Sequence, residues 1–317
     1  MELTVYLDND NTAHSQRYGA TAVQHKYERR GSPDGLRRTR MRLIICSTED
    51  EASVNIANAL RSLTEWTEEG EFGGRPVLRH SDLRLLLTDE LHIHAEGIDL
   101  AAERVLGRKV DEVVFLSRHR AASGRPSLTV HPIGNWGKAE YGGRERTLTP
   151  ASPHLMTSLL RKMRAEAANL PYDVVFEVTH HGPLLSRPTL FMEIGSDESS
   201  WGNKDAAAAL AASLLKVQVE ENPVAIGIGG GHYAPRFSEV SLTRRISFGH
   251  MLPAYAMDLS DLDGLSRSIA MAMEATGTRT AYVHKKSMKR SEATAVSSLV
   301  RDLGGETVDS SDLERLE

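Results

Sequence analysis

His180 and His181 stand side by side in EVTHHGP, residues 177–183, directly after an apolar run, and His232 closes GIGGGH, residues 227–232. His119 and His131 close two further apolar runs, FLSRH and SLTVH. Neutral imidazole suits Zn²⁺, and Cys46 is the only cysteine, so any zinc site must use nitrogen and oxygen ligands. The pattern predicts His180 or His181 acting with His232, and Glu177 or Asp197 supplying the oxygen ligand or the base that activates water. His181 and Glu177 are also the candidate catalytic pair. The spacing fits no HExxH motif. A single loop histidine is more often a surface or packing residue, and continued strand geometry would send His180 and His181 to opposite sides.

The glycine run suggests different chemistry. Gly229, Gly230 and Gly231 leave an apolar strand without Cβ atoms, so they can take positive φ and turn their amides toward an anion. Gly230 and Gly231 are therefore candidate donors to the oxyanion of an acyl-transfer reaction. The competing reading is a tight turn before YAPRF. No GK[ST] follows the run, the glycines miss the GxGxxG register, and no GxSxG elbow occurs in the chain.

Elements that would position these residues follow from the apolar patterning. Strands are predicted from Met41 (MRLIICS) and over 83–88, 111–117, 127–133, 173–179, 189–195 and 224–230. Helical patterns cover about 52–66, 96–107, 153–168, 203–217 and 262–276. Nearly continuous apolar strands alternating with helices predict an α/β domain of three layers, α/β/α, around a mostly parallel or mixed sheet. In such folds the site lies beyond the carboxyl ends of strands, where most of the histidines fall. The interval 118–150, rich in Gly, Pro and Arg, reads as an irregular excursion.

Composition narrows the class. The 317 residues are 40% hydrophobic and 26% charged, with a formal charge of −5. A single cysteine excludes an internal disulfide and a Cys-rich zinc knuckle. No apolar stretch approaches the roughly 20 residues of a membrane span, and no secretory signal is visible, so a cytoplasmic protein is expected. Two segments run against the overall charge: 118–146 holds six Lys/Arg against two acids, and 279–290 holds five against none. Such runs are usually solvated faces, but they also suit an RNA partner.

Several long motifs resemble the D-aminoacyl-tRNA deacylases of archaea and plants: SRHRAASGRPSLTVHPIGN (117–135), EVTHHGP (177–183), PTLFMEIGSDESSW (188–201) and GGGHYAPRF (229–237). AYVHKKSMK (281–289) fits the same family's C-terminal section, and the likeness runs from Met41 to about Gly305. The resemblance implies hydrolysis of the ester between a D-amino acid and the 3′ end of tRNA. It also implies zinc dependence and an α/β core similar to those of peptidyl-tRNA hydrolases and nucleoside phosphorylases. Basic residues would then meet phosphates near the 3′ end, with Arg118, Arg120, Lys285 and Lys286 as candidates. Tyr233 or Trp136 would stack on the terminal adenine. No obligate protein partner is implied, and a monomer is expected. The rival classes are a zinc peptidase or amidohydrolase of small substrates and an RNA-binding protein without chemistry.

Residues 1–40 carry turn formers and arginines without apolar periodicity, so they read as an extension to a domain spanning 41–317. A chain beginning at Met41 is expected to keep its melting temperature and activity. A clear fall in either would show that the extension packs on the domain.

Overall fold

The computed structural model describes residues 40–122 and 124–316, so all but one residue of the expected 1–40 extension lies outside the described residues. In chain order the first half comprises β1 (Arg42–Ser47), α1 (Glu51–Leu63), β2 (Thr67–Phe72), β3 (Arg75–His80), β4 (Leu83–Thr88), α2 (Ile98–Leu106), β5 (Glu112–Arg118), β6 (Ser127–Pro132), β7 (Gly134–Asn135), β8 (Thr147–Leu148) and α3 (Pro153–Glu166). The second comprises β9 (Asp173–Phe176), β10 (Thr189–Gly195), α4 (Glu198–Trp201), α5 (Lys204–Lys216), β11 (Val224–Ile228), α6 (Pro235–Thr243), β12 (Ser247–Leu252), α7 (Leu262–Thr276), β13 (Thr280–Val283), α8 (Arg290–Asp302) and β14 (Glu306–Val308).

An eight-stranded mixed sheet has the order β2-β3-β4-β1-β5-β10-β6-β9. Its centre is parallel, with β4, β1, β5 and β10 in one direction. β6 is antiparallel to β10 and parallel to β9, so the last two strands run the opposite way. The strand period of two sorts side chains to two faces. Ile44 and Cys46 of β1, with Val114 and Leu116 of β5, pack on one face with Ile56 of α1, Leu159 of α3 and Leu210 of α5. Leu43, Ile45, Val113 and Phe115 pack on the other with Ile98, Ala101 and Ala102 of α2. This is the expected three-layer α/β arrangement.

The strands do not all join that sheet. A second, fully parallel sheet has the order β12-β11-β13-β14. Ile226, Ile228 and Val283 cover one face of it with Ile269 and Met273 of α7 and Val296 and Val300 of α8. Ala225, Phe248 and Met251 face the other way into the core shared with α3 and α6. The sequence patterning misses the hairpin β2–β3 because the edge strand β2, TEEGEF, is largely exposed and polar, and its neighbour β3, RPVLRH, fully buries only Val77. Within 118–150, β6 is a fully buried strand and the irregular backbone lies to either side of it.

Phe115 and Phe191 stack at 4.6 Å on the α2 face, and Phe191 lies 5.3 Å from the His131 ring and 4.9 Å from that of His181. This pair is the apolar floor beneath the histidines. Phe191→Ala is expected to cost about 3–5 kcal/mol, read from the urea midpoint. A loss below 1 kcal/mol would mean that this face collapses readily and supports nothing above it.

Candidate active site

The apolar α2 face turns polar where β5, β10 and β6 lie side by side. Glu193 of β10 is in register with Ser117 of β5 and Thr129 of β6, one pleat beyond Phe191, Phe115 and His131. Because β6 and β9 run against β5 and β10, the carboxyl ends of the two pairs lie at opposite edges. The histidines therefore converge over the face of the sheet, not beyond a common edge.

His119 follows β5 and is fixed through its backbone. Its amide donates to the Ile194 carbonyl at 2.9 Å, and the Trp201 indole Nε1 donates to its carbonyl at 2.9 Å. One residue earlier, the Arg118 amide donates to Asp50 Oδ2 at 3.0 Å, and the same carboxylate caps α1 through Ser53. The ring fits because residue 195 is glycine: a Cβ there would lie 2.9 Å from His119 Cδ2. His119 Nδ1 is 3.1 Å from Glu177 Oε1 and 3.5 Å from Glu193 Oε2, while Nε2 meets the Tyr233 hydroxyl at 2.8 Å.

Beyond β9 the chain bridges the two sheets. Glu177 N donates to the Val130 carbonyl at 3.2 Å, Val178 N to His232 O at 3.0 Å and Thr179 N to Met251 O at 3.1 Å. That path sets Glu177 Oε2 3.5 Å from His180 Nε2 and 3.2 Å from His232 Nε2. Strand geometry then stops, because His181 has φ +45°. The rings of His180 and His181 consequently meet at 4.5 Å, contrary to their expected divergence, and His131 stacks on His180 at 4.2 Å.

Three of these rings are oriented alike. Nδ1 of His131, His180 and His181 donates to the carbonyls of Pro132, Val178 and Gly182, at 3.2, 2.8 and 2.6 Å. In the neutral rings of His180 and His181 this leaves Nε2 as a lone pair, the disposition that backbone carbonyls impose on metal-binding histidines, and His131 reaches it on losing its Nε2 proton. Ligand atoms of His131, His180 and His181 lie within 4.8 Å of one another, as do those of His119, Glu177 and His232, and those of His131, Glu177 and Glu193.

The electrostatics follow from two buried carboxylates, Glu177 fully buried and Glu193 3% exposed. Burial alone would depress the His119 cation, but Glu177 and then Glu193 outweigh it and raise its pKa to about 10. Burial likewise opposes the His131 cation, and Glu193 overcomes it. The same positive charges hold Glu177 below the usual carboxylate range and Glu193 well below it, although burial pushes both up. Burial and the neighbouring imidazoles keep His180 neutral, and His181 falls to about 4.

Comparison with known proteins gives this cluster its context. Residues 106–308 match the family described as D-aminoacyl-tRNA deacylase. A D-aminoacyl-tRNA deacylase of Methanosarcina mazei is 40% identical over 270 residues, 82% of this chain and 89% of that protein. This chain belongs to the D-aminoacyl-tRNA deacylase family. A second member, from Thermococcus kodakarensis, is 37% identical over 276 residues, covering 84% of this chain and 99% of its own. The crystal structure of a conserved protein of unknown function, 30% identical, shares the fold with a TM-score of 0.79 over 88% of this chain and 99% of that one.

Within this family member the sequence candidates fall into place unevenly. Glu177, His180, His181 and His232 come together, and His119 and His131 join them. Asp197 does not: its carboxylate caps α4, accepting from Ser199 N at 3.0 Å and Ser199 Oγ at 2.6 Å. The acid that joins the histidines is Glu193, missed because it sits inside an apolar strand; a lone carboxylate in TLFMEIG was the available signal. The amides of Gly229 and Gly230 are already used, by the Leu252 carbonyl at 2.8 Å and Ser287 Oγ at 2.9 Å, so Gly230 is no free oxyanion donor. Their φ values of +101° and +87° mark the competing turn, and Gly231 is exposed.

Arg118 and Arg120 flank His119, each guanidinium over the Trp201 ring at 5.1 and 4.7 Å, and Arg120 also pairs with Glu198. Tyr233 is engaged with His119. Trp136 packs inward, with Nε1 donating to Thr179 O at 2.9 Å, so stacking on a base is not open to it in this arrangement. Lys285 and Lys286 lie at the surface beside α8, Lys285 3.6 Å from Asp309.

Gly195→Ala is expected to displace the His119 ring and lower activity at least tenfold with unchanged far-UV circular dichroism, a close-approach effect of the added Cβ on a packed neighbour. Asp197→Ala is expected to lower the melting temperature slightly and leave activity intact. Activity lost in Asp197→Ala but kept in Gly195→Ala would reverse the assignment of the two positions.

Proposed function

We propose that this chain hydrolyses the ester joining a D-amino acid to the 3′ end of tRNA, with Zn²⁺ held in the histidine–glutamate cluster. The observation that carries this reading is Glu177. Both of its oxygens are buried without a hydrogen-bond partner, although three imidazoles stand within 3.1–3.5 Å of them. His131 Nε2 is likewise buried without a partner. Carboxylate oxygens and imidazole nitrogens that converge without hydrogen-bond geometry suit a cation better than they suit one another.

The donor set fits zinc: imidazole nitrogen and carboxylate oxygen, with no thiolate needed. His131, His180 and His181 would form one set of ligands and His119, Glu177 and His232 another, with Glu193 beside both. Zn²⁺ there would supply Lewis-acid polarisation of the ester and a water acidic enough to react near neutral pH.

The remaining work belongs to the protein. Water oxygen bonds to the ester carbonyl carbon, the bond from that carbon to the ribose oxygen breaks, and a proton passes from the water to the ribose oxygen. Glu177, through the oxygen not given to the cation, is the base placed to accept that proton, and its removal from solvent keeps it aimed. The Tyr233 hydroxyl, linked to His119, is a donor for the departing ribose oxygen. Chirality would be read by exclusion, since the L-enantiomer cannot place its side chain, amino group and ester in the same three positions.

Release of D-tyrosine from D-tyrosyl-tRNA is expected to exceed release of L-tyrosine from the L-ester, to stop with a chelator and to return with Zn²⁺. Glu177→Gln is expected to lower kcat at least a hundredfold with the fold retained. Equal rates on both enantiomers, or activity indifferent to chelation, would overturn the reading.

A further inference from the structure

The turn that leads into His232 is held from two sides. Gly230 N donates to Ser287 Oγ at 2.9 Å, and Ala254 N donates to the Gly230 carbonyl at 2.9 Å. The first bond ties the turn to the basic segment preceding α8. The second ties it to the turn after β12 that carries Tyr255. Whatever lies on either segment is therefore at the threshold of the site.

α8 is amphipathic in a specific way. Ala293, Val296 and Val300 face the second sheet's core, while Arg290, Thr294, Ser297 and Arg301 form a separate stripe at helical spacing. With Lys285 and Met288, that stripe lines a groove of about 510 Å³ that contains no acidic side chain. Arg290 and Arg301 are exposed, about 16 Å apart along the helix, and neither makes an ion pair among the described residues. Thr294 Oγ1 and Ser297 Oγ donate to the helix's own Arg290 and Ala293 carbonyls, at 2.9 and 2.7 Å, so the groove offers the charge of its arginines, and cations spaced along an open groove match the oxygens of successive phosphates.

Tyr255 is the most exposed large hydrophobic side chain among the described residues, at 65%. Its neighbour Ala254 donates to the Gly230 carbonyl at 2.9 Å, two residues before His232, which sets the ring beside the site. An exposed aromatic ring at the entrance to a site is a platform for an unpaired base.

We propose that the α8 groove carries the phosphates of an RNA acceptor strand and that Tyr255 stacks on its unpaired 3′-terminal base, delivering the ester to Glu177 and His232. This rests on the deacylase reading and names the surface by which the same site receives RNA. It moves base stacking from Tyr233 and Trp136, which are otherwise engaged, to a ring that is free in solvent.

The test compares R290A/R301A, Y255A and Y255F on D-tyrosyl-tRNA and on D-tyrosyl-adenosine, alongside binding of uncharged tRNA. The groove variant is expected to lose about tenfold more on tRNA than on the adenosine ester. The slope of log affinity against log salt should become shallower by roughly 1.4–1.8, the share of two phosphate contacts. Y255A is expected to lower kcat/KM roughly five- to a hundredfold on both esters, since both carry the terminal base, and Y255F to restore it. Equal losses of the groove variant on both esters, an unchanged salt slope, or a Y255F as poor as Y255A would overturn the proposal. A wild-type protein inactive on both esters would sink the deacylase reading instead, while the tRNA-binding slope would still decide the groove.

Discussion

Glu177 and Glu193 are buried close together at the centre of the site, and the arrangement around them follows from that cost. An ionised carboxyl removed from water loses several kcal/mol of solvation unless opposite charge and directed donors replace it. Glu177 and Glu193 are compensated by His119 and His131, which gain positive charge in return. A divalent cation carries the same charge as two such protons. Either offsets the charge of the two carboxylates.

Strand direction makes this convergence possible. In an all-parallel sheet, residues past the strand ends would gather at one edge. Here β6 reverses the direction beside β10, so His131 and Glu193 share a face, and the continuation of β9 returns across it with Glu177 and His180. The same continuation pairs with His232 and Met251, so the second sheet is registered against the first through the site residues themselves. Packing beneath is apolar and aromatic, with Phe191 touching several rings, and packing above comes from loops anchored by Trp201, Gly195 and Asp50.

Charge is layered outward from there. The interior holds acids and imidazoles, and the rim beside His119 holds Arg118 and Arg120 against Trp201. A net charge of −5 therefore coexists with local positive surfaces near the site.

Apolar periodicity and the residue types at strand ends were enough to determine much of this protein. The strand over 189–195, the helix over 262–276 and the α/β class are local properties of the chain, set by the period of burial, and Glu177, His180, His181 and His232 stood out by type and position. Other features were decided only by distant partners. Glu193 gains its meaning from His119 and His131, Gly230 loses its amide to a serine 57 residues away, and Asp197 serves its own helix because a capping bond two residues off is always within reach. Even the adjacent pair His180 and His181 meets only because the backbone turns left-handed at φ +45°. Local patterning specifies which face of an element is buried; the register between strands far apart in the chain specifies which atoms meet.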